Sequence, residues 1–187
     1  MMKRIFDFIT ALVLLVILII PMLIIAVAIK LTSRGPVLYW SDRIGVNNAI
    51  FKMPKFRTMR VNTPAVATHL LENPNFYITP VGSFLRKFSL DELPQLFNII
   101  SGDMTFVGPR PALFNQSDLI EFRTKRSVHT LIPGVTGWAQ INGRDDLPIP
   151  IKVEFDEYYL KNKSFLLDVK ILFITLFKVI NREGVKH

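Results

Sequence analysis

The chain has 187 residues, half of them hydrophobic and a fifth charged, with a mean hydropathy of +0.33 and a net charge of +8. That length suits one domain or a small domain with an appendage, and the composition excludes disorder and points to contact with lipid. The absence of cysteine excludes a disulfide scaffold, iron–sulfur ligation and thiol catalysis, and the three histidines (His69, His129, His187) lack the spacing of metal ligands.

From Phe8 to Ile29 there are 22 residues without a formal charge. As a straight helix they would reach roughly 33 Å, enough to cross a hydrocarbon core of about 30 Å. The run is too long for a cleavable signal peptide, and no small-residue cleavage site follows it. Pro21 lies just past its middle, where it removes a backbone donor and favours a kink or a break. The flanks are basic on both sides, with Lys3 and Arg4 before and Lys30 and Arg34 after. Positive residues stay cytoplasmic, so matched flanks suit a re-entrant helix broken at Pro21 with both ends on the cytoplasmic face. A bitopic helix with a proline kink is the alternative. Residues 1–34 then form the membrane anchor and residues 35–187 a catalytic domain on the cytoplasmic side. Most of the positive charge lies in that second part, where it suits anionic headgroups and anionic ligands. Without a lysine/arginine run, zinc knuckle or RNP-like aromatic pattern, no nucleic-acid partner is expected.

Residues 35–60 read as a small β-hairpin: a Gly35-Pro36 turn, a β-prone run at Val37–Trp40, a turn cluster at Gly45–Asn48, and a returning strand through Ile50–Arg57 that Pro54 makes an edge or interrupts. Residues 61–78 read as a loop with one short helix. Thr79-Pro80 is a helix start, and a further helix opens at Ser89–Phe97. Residues 101–111 read as a turn and a Gly-Pro-Arg-Pro loop, 112–130 as helix, and 133–144, with three glycines and a proline, as a structured loop. The tail from Ile151 to Arg182 reads as one or two helices, too interrupted by charge to span and able to pack in the core or lie in the membrane interface. The whole is α+β and mainly helical, a monotopic membrane protein with interfacial amphipathic helices.

Asp91 and Glu92 are adjacent carboxylates at a helix start. On an α-helix they would point about 100° apart and reach two sides of one centre. An ionised Asp91 could serve as a nucleophile or a Mg²⁺ ligand. The bland alternative is a capping box, Ser89 with Glu92 three residues on, or Asp91 itself as an N-cap. Basic residues surround the pair in sequence: Lys55 and Arg57, Arg86 and Lys87, Arg110 between two prolines, and Arg144 at the end of the glycine-rich loop. The planar guanidinium donates two hydrogen bonds at once, which suits phosphate. Carboxylates able to hold Mg²⁺ beside several arginines suit a diphosphate.

The runs Lys55–Met59, Ser89–Asn98, Gly102–Met104, Val107–Pro111 and Pro133–Arg144 resemble the bacterial sugar transferase family, the monotopic phosphoglycosyl transferases that act on polyprenol phosphate. The likeness covers about residues 3–180. It implies a UDP-sugar donor and an undecaprenyl phosphate acceptor at the cytoplasmic face of the bacterial inner membrane, in the first membrane step of O-antigen, capsule, exopolysaccharide or glycoprotein assembly. The sugar-1-phosphate moves to the lipid and UMP is released. The resemblance implies Asp91 as nucleophile and carrier of a phosphosugar, with Mg²⁺ at Asp91, and Glu92 as base or orienting group. It implies phosphate binding by Arg110, and weaker supporting roles for Lys55, Arg86 and Arg144; Arg57, in the same run as Lys55, is a further phosphate-binding candidate on its residue type. The family breaks its anchor at a Ser-Pro pair; here the pair is Ile20-Pro21. Two other readings stand beside the transferase: a membrane-attached nucleotide-sugar hydrolase, and a non-catalytic scaffold of a glycan assembly complex. The sugar, the glycan pathway and the oligomeric state are not legible in the sequence.

Overall fold

A computed structural model of the chain describes residues 2–64, 73–143 and 147–181, apart from the side chains of residues 74, 75 and 180. Helix α1 (Met2–Thr32) is continuous, with Pro21 inside it. This corrects the expectation of a helix broken there. Pro21 forfeits one hydrogen bond, but packing holds the turns on both sides of it. Before it, Ala11, Leu14, Leu15 and Leu18 lie on Met53, Leu96, Ile99 and Met104. After it, Met22, Ile25, Ala26 and Ile29 lie on Phe56 and Leu85. These positions recur every three or four residues, so a single stripe of α1 faces the rest of the molecule along nearly all of its roughly 46 Å. The other side, including Val13, Val16, Ile20, Leu23, Ile24 and Val27, is exposed and apolar. By length and composition α1 could cross a membrane.

Strands β1 (Leu38–Ile44) and β2 (Ile50–Phe56) form the expected antiparallel hairpin, with Tyr39 opposite Lys55 and Trp40 opposite Pro54. The strand runs through Pro54, because a two-stranded sheet has an outer edge where a missing N–H costs no ladder bond. Helix α2 (Pro74–Tyr77) is short. Helix α3 (Pro80–Lys87) starts as the sequence indicates, with Thr79 Oγ1 accepting from Gly82 N at 3.0 Å. Gly82 lets α3 press onto the hairpin exit: a Cβ there would stand 2.0 Å from the Thr58 carbonyl oxygen. A 3₁₀ turn, Leu90–Gln95, leads into α4 (Leu96–Ser101).

Two segments expected to be loops contain strands. Strand β3 (Thr105–Val107) pairs in parallel with β4 (Gly134–Thr136), Thr105 opposite Gly134 and Val107 opposite Thr136. The glycines that suggested a loop mark instead a close backbone approach, since a Cβ on Gly134 would stand 2.1 Å from Gly108 N. A short helix, α6 (Trp138–Ile141), follows β4; between the strands lies α5 (Ser117–Lys125). The tail forms two helices, α7 (Ile149–Asn162) and α8 (Phe165–Ile180). Val107, Ile141, Tyr159 and Ile171 make a buried cluster between them and the small sheet, while α8 leaves Phe165, Leu166, Phe173, Leu176 and Phe177 exposed.

The first turn of α1 is tied down by charge. Lys3 Nζ donates to the Val107 carbonyl at 3.0 Å and to Asp168 at 2.5 Å, and Arg4 donates to the carbonyls of Ile99 and Ile100. Asp7, buried, accepts from the Thr105 hydroxyl.

Candidate functional site

The two carboxylates lie on the 3₁₀ turn Leu90–Gln95, where successive residues diverge by about 120°. The chain enters that turn through Ser89 in the left-handed conformation (φ 55°). An N-cap side chain needs extended backbone, and Ser89 makes no side-chain cap, so the capping-box reading is corrected. The Glu92 carboxylate is engaged elsewhere. Its Oε1 accepts from Lys55 Nζ at 2.6 Å and from Arg110 Nη2 at 3.2 Å. Lys55 comes from the end of β2 and Arg110 from the loop after β3, so Glu92 joins three stretches of chain.

Asp91 is buried, and its carboxylate accepts no hydrogen bond from a described residue; the Lys55 ammonium is 3.9 Å away. Burial raises the Asp91 pKa above the usual aspartate value, opposed first by the charge of Lys55 and reinforced by that of Glu92. Arg86 and Arg110 add further opposition. For Glu92 burial acts in the same upward sense, but Lys55 and then Arg110 outweigh it and hold this carboxyl far below the glutamate range. One carboxylate is thus locked in ionised form by two hydrogen-bonded cations. The other is costly to ionise and keeps its lone pairs available.

Arg86, in the last turn of α3, donates from Nε to Thr58 Oγ1 at 2.9 Å, and its charge acts on Asp91. Lys55, Arg86, Asp91, Glu92 and Arg110 therefore gather at one place. Arg57 does not share their partners. It is buried and donates to the carbonyls of Ser33 and Arg34 and to the Ser33 hydroxyl, at 2.7–2.9 Å, holding the exit of α1. Arg144 lies outside the described residues. Thr58, the partner of Arg86, sits in the Lys55–Met59 run but carried no signal of its own. Arg123, from α5, donates from Nη1 to the Arg110 carbonyl at 2.8 Å and pairs with Asp156 of α7. No spacing rule links residues on two separate helices, and sequence reasoning did not find them.

Among the described residues no three acidic or histidine side chains converge on a common point. A divalent cation would rest on Asp91 and on oxygens of its ligand. Mg²⁺ tolerates that donor set, since it is commonly held by one or two carboxylates plus substrate phosphates. The clamped Oε1 of Glu92 does not suit it.

The family model described as bacterial sugar transferase matches residues 1–182. The "Uncharacterized sugar transferase EpsL" of Bacillus subtilis is 38% identical over 186 residues, covering 100% of this chain and 91% of the relative. The UDP-glucose:undecaprenyl-phosphate glucose-1-phosphate transferase of Escherichia coli is 42% identical over 190 residues, covering 95% of this chain and 40% of the relative. The UDP-N-acetylgalactosamine-undecaprenyl-phosphate N-acetylgalactosaminephosphotransferase of Aeromonas hydrophila is 40% identical over 172 residues, covering 88% and 40%. The chain thus spans about two fifths of the length of the relatives whose names give a reaction.

Proposed function

The chain belongs to the bacterial sugar transferase family and is an enzyme of that class; from this premise we propose that it transfers a sugar-1-phosphate from a UDP-sugar to undecaprenyl phosphate through a phosphosugar carried on Asp91. The observation that carries the reading is the division of labour between adjacent carboxylates. Glu92 Oε1 is engaged by Lys55 and Arg110, while Asp91 beside it keeps an unengaged carboxylate in a cationic, largely buried setting.

In the first step an Asp91 oxygen attacks the phosphorus that bears the sugar. The bond from that phosphorus to the oxygen bridging the two phosphates breaks, and UMP leaves with the electron pair. In the second step an oxygen of undecaprenyl phosphate attacks the same phosphorus, and the Asp91 carboxylate is released. A covalent route lets a soluble donor and a lipid acceptor use one small site in turn. Arg110 and Arg86 meet the charge of the diphosphate, and Lys55 supports the ionised state of Asp91. Glu92 acts as an orienting group, because a carboxyl held so far below its usual range is a poor base. Asp91 is the residue that would hold Mg²⁺, which would supply further positive charge to the diphosphate.

The packing of α1 supports the anchor reading. A helix bound to the domain on one stripe and apolar on the other suits immersion in one leaflet, with its Lys3/Arg4 and Lys30/Arg34 ends at the cytoplasmic headgroups. That brings the site to the depth of a lipid phosphate. The test supplies radiolabelled UDP-sugars with undecaprenyl phosphate. The transferase puts label in the organic phase and releases UMP; a hydrolase leaves sugar phosphate in water; a scaffold does neither.

A further inference from the structure

Arg110 lies between Pro109 and Pro111, and the carbonyls around it are engaged one after another from separate elements. Val107 O accepts from Lys3 Nζ and Tyr159 Oη, each at 3.0 Å. Pro109 O accepts from Gly134 N at 2.9 Å, and Ala112 O from Ile44 N at 3.0 Å. Pro111 O accepts from Arg43 Nη1 at 3.1 Å. A surface loop usually leaves such groups to water. Here the segment is a strap fixed at nearly every peptide.

The carbonyl of Arg110 itself has the most costly partner. Arg123 Nη1 donates to it at 2.8 Å, while Arg123 Nε and Nη2 donate to Asp156 Oδ2 at 3.0 and 2.6 Å. Asp156 is 1% exposed and Arg123 8%. A buried ion pair contributes little stability over apolar residues of the same volume, so stability alone does not account for it. Its third hydrogen bond gives it a role. The residue before a proline is confined to extended backbone, and Pro109 has a fixed φ. What remains at Arg110 is chiefly rotation about φ within that extended range, which moves Cβ and the carbonyl together, so fixing that oxygen fixes the direction in which the side chain leaves the strap.

We propose that Arg123, held by Asp156, is a positioning residue that aims the Arg110 guanidinium at Glu92 and at the donor's phosphate. This rests on the phosphate-handling role of Arg110 in the reaction proposed above. A guanidinium set in advance costs no reorganisation when charge develops on the phosphoryl oxygens, and a small misplacement of such a group is expensive.

A double-mutant cycle read by UMP release over a panel of UDP-sugars tests it. Arg123→Lys keeps a cation beside Asp156 but cannot pair with it as a fork and also reach the Arg110 carbonyl. Alone it lowers kcat by about 10- to 100-fold, the scale of a displaced catalytic group, while the donor KM changes little. In the Arg110→Ala background it has no further effect, because there is no longer a side chain to aim. Equal losses in both backgrounds overturn the proposal. So does an Arg110→Ala protein with unaltered release. Should Arg123→Lys fail to fold, Asp156→Asn enters the same cycle, and hydrogen exchange on the unaltered protein decides independently. The amides that join the strap to its neighbours, Gly108 (to Thr136 O), Gly134 (to Pro109 O) and Ile44 (to Ala112 O), are protected before donor is added; protection that arises only with donor contradicts a preset strap. Failure of the underlying reaction is distinct, since the unaltered enzyme would then release no UMP from any donor.

Discussion

The Lys55 ammonium stands 3.9 Å from the Asp91 carboxylate. That is too long for a hydrogen bond and short enough for a strong charge interaction in a largely buried setting. Lys55 spends its hydrogen bond on Glu92, at 2.6 Å. It therefore eases the ionisation of Asp91 without occupying the oxygen that attacks in the proposed reaction. The site separates support of the proposed nucleophile from obstruction of it.

Replacing Asp91 by asparagine keeps the shape and removes the anion. UMP release from donor alone falls by about a thousand-fold or more, as for the loss of a covalent nucleophile, in a protein that still folds. Near-normal release would remove Asp91 from the role.

The pH dependence follows from the sign of the Asp91 shift. In the proposed reaction the reacting form is the carboxylate, and burial raises its pKa above the usual aspartate value. Activity is present above the folded pKa and lost as pH falls through it, so the acid limb of kcat/KM lies above the ordinary aspartate range. Lys55→Met removes the main opposing charge and moves that limb to higher pH. Glu92→Gln removes a neighbouring anion and moves it to lower pH, while slowing the first half-reaction because Lys55 and Arg110 lose their anchor. A limb that moves the same way in both variants contradicts the assignment.

Packing of α1 along the domain gives a stability prediction. Ala11 is fully buried against α4, whereas Leu12 is 46% exposed. Ala11→Leu overfills that contact and costs about 1–3 kcal/mol; Leu12→Ala in detergent costs about 0.5 kcal/mol or less. Thermal unfolding of the two variants in the same micelle checks both. Equal effects would mean that α1 does not lie on the domain by one stripe.

Removal of divalent cations abolishes UMP release, and added Mg²⁺ restores it, measured with EDTA before and after dialysis. Full release in EDTA contradicts the metal assignment at Asp91.

Local signals in the sequence carried the hairpin, the Thr79 cap and the paired tail helices, because turn chemistry and capping act over a few residues. They failed where long-range contact decides. The parallel β3–β4 pair joins Thr105 to Gly134, and its glycines serve backbone approach instead of loop flexibility. Pro21 stays inside a helix because Leu18 and Met22 are packed on either side of it, which no local rule reveals. Lys55, Arg86, Asp91, Glu92 and Arg110 were legible as residue types suited to phosphate. Their grouping was not, and neither was the separation of Arg57, which serves the end of α1. Arg123 and Asp156 lie 33 residues apart on two helices, a pairing that only the fold creates.

The most direct test is the intact mass of the enzyme after brief mixing with donor and Mg²⁺, without lipid. The account predicts a gain equal to one glycosyl-phosphoryl group, that is, a sugar phosphate less one water, absent in Asp91→Asn and discharged when undecaprenyl phosphate is added. Lipid-linked product accumulating from an enzyme that never gains that mass would contradict it.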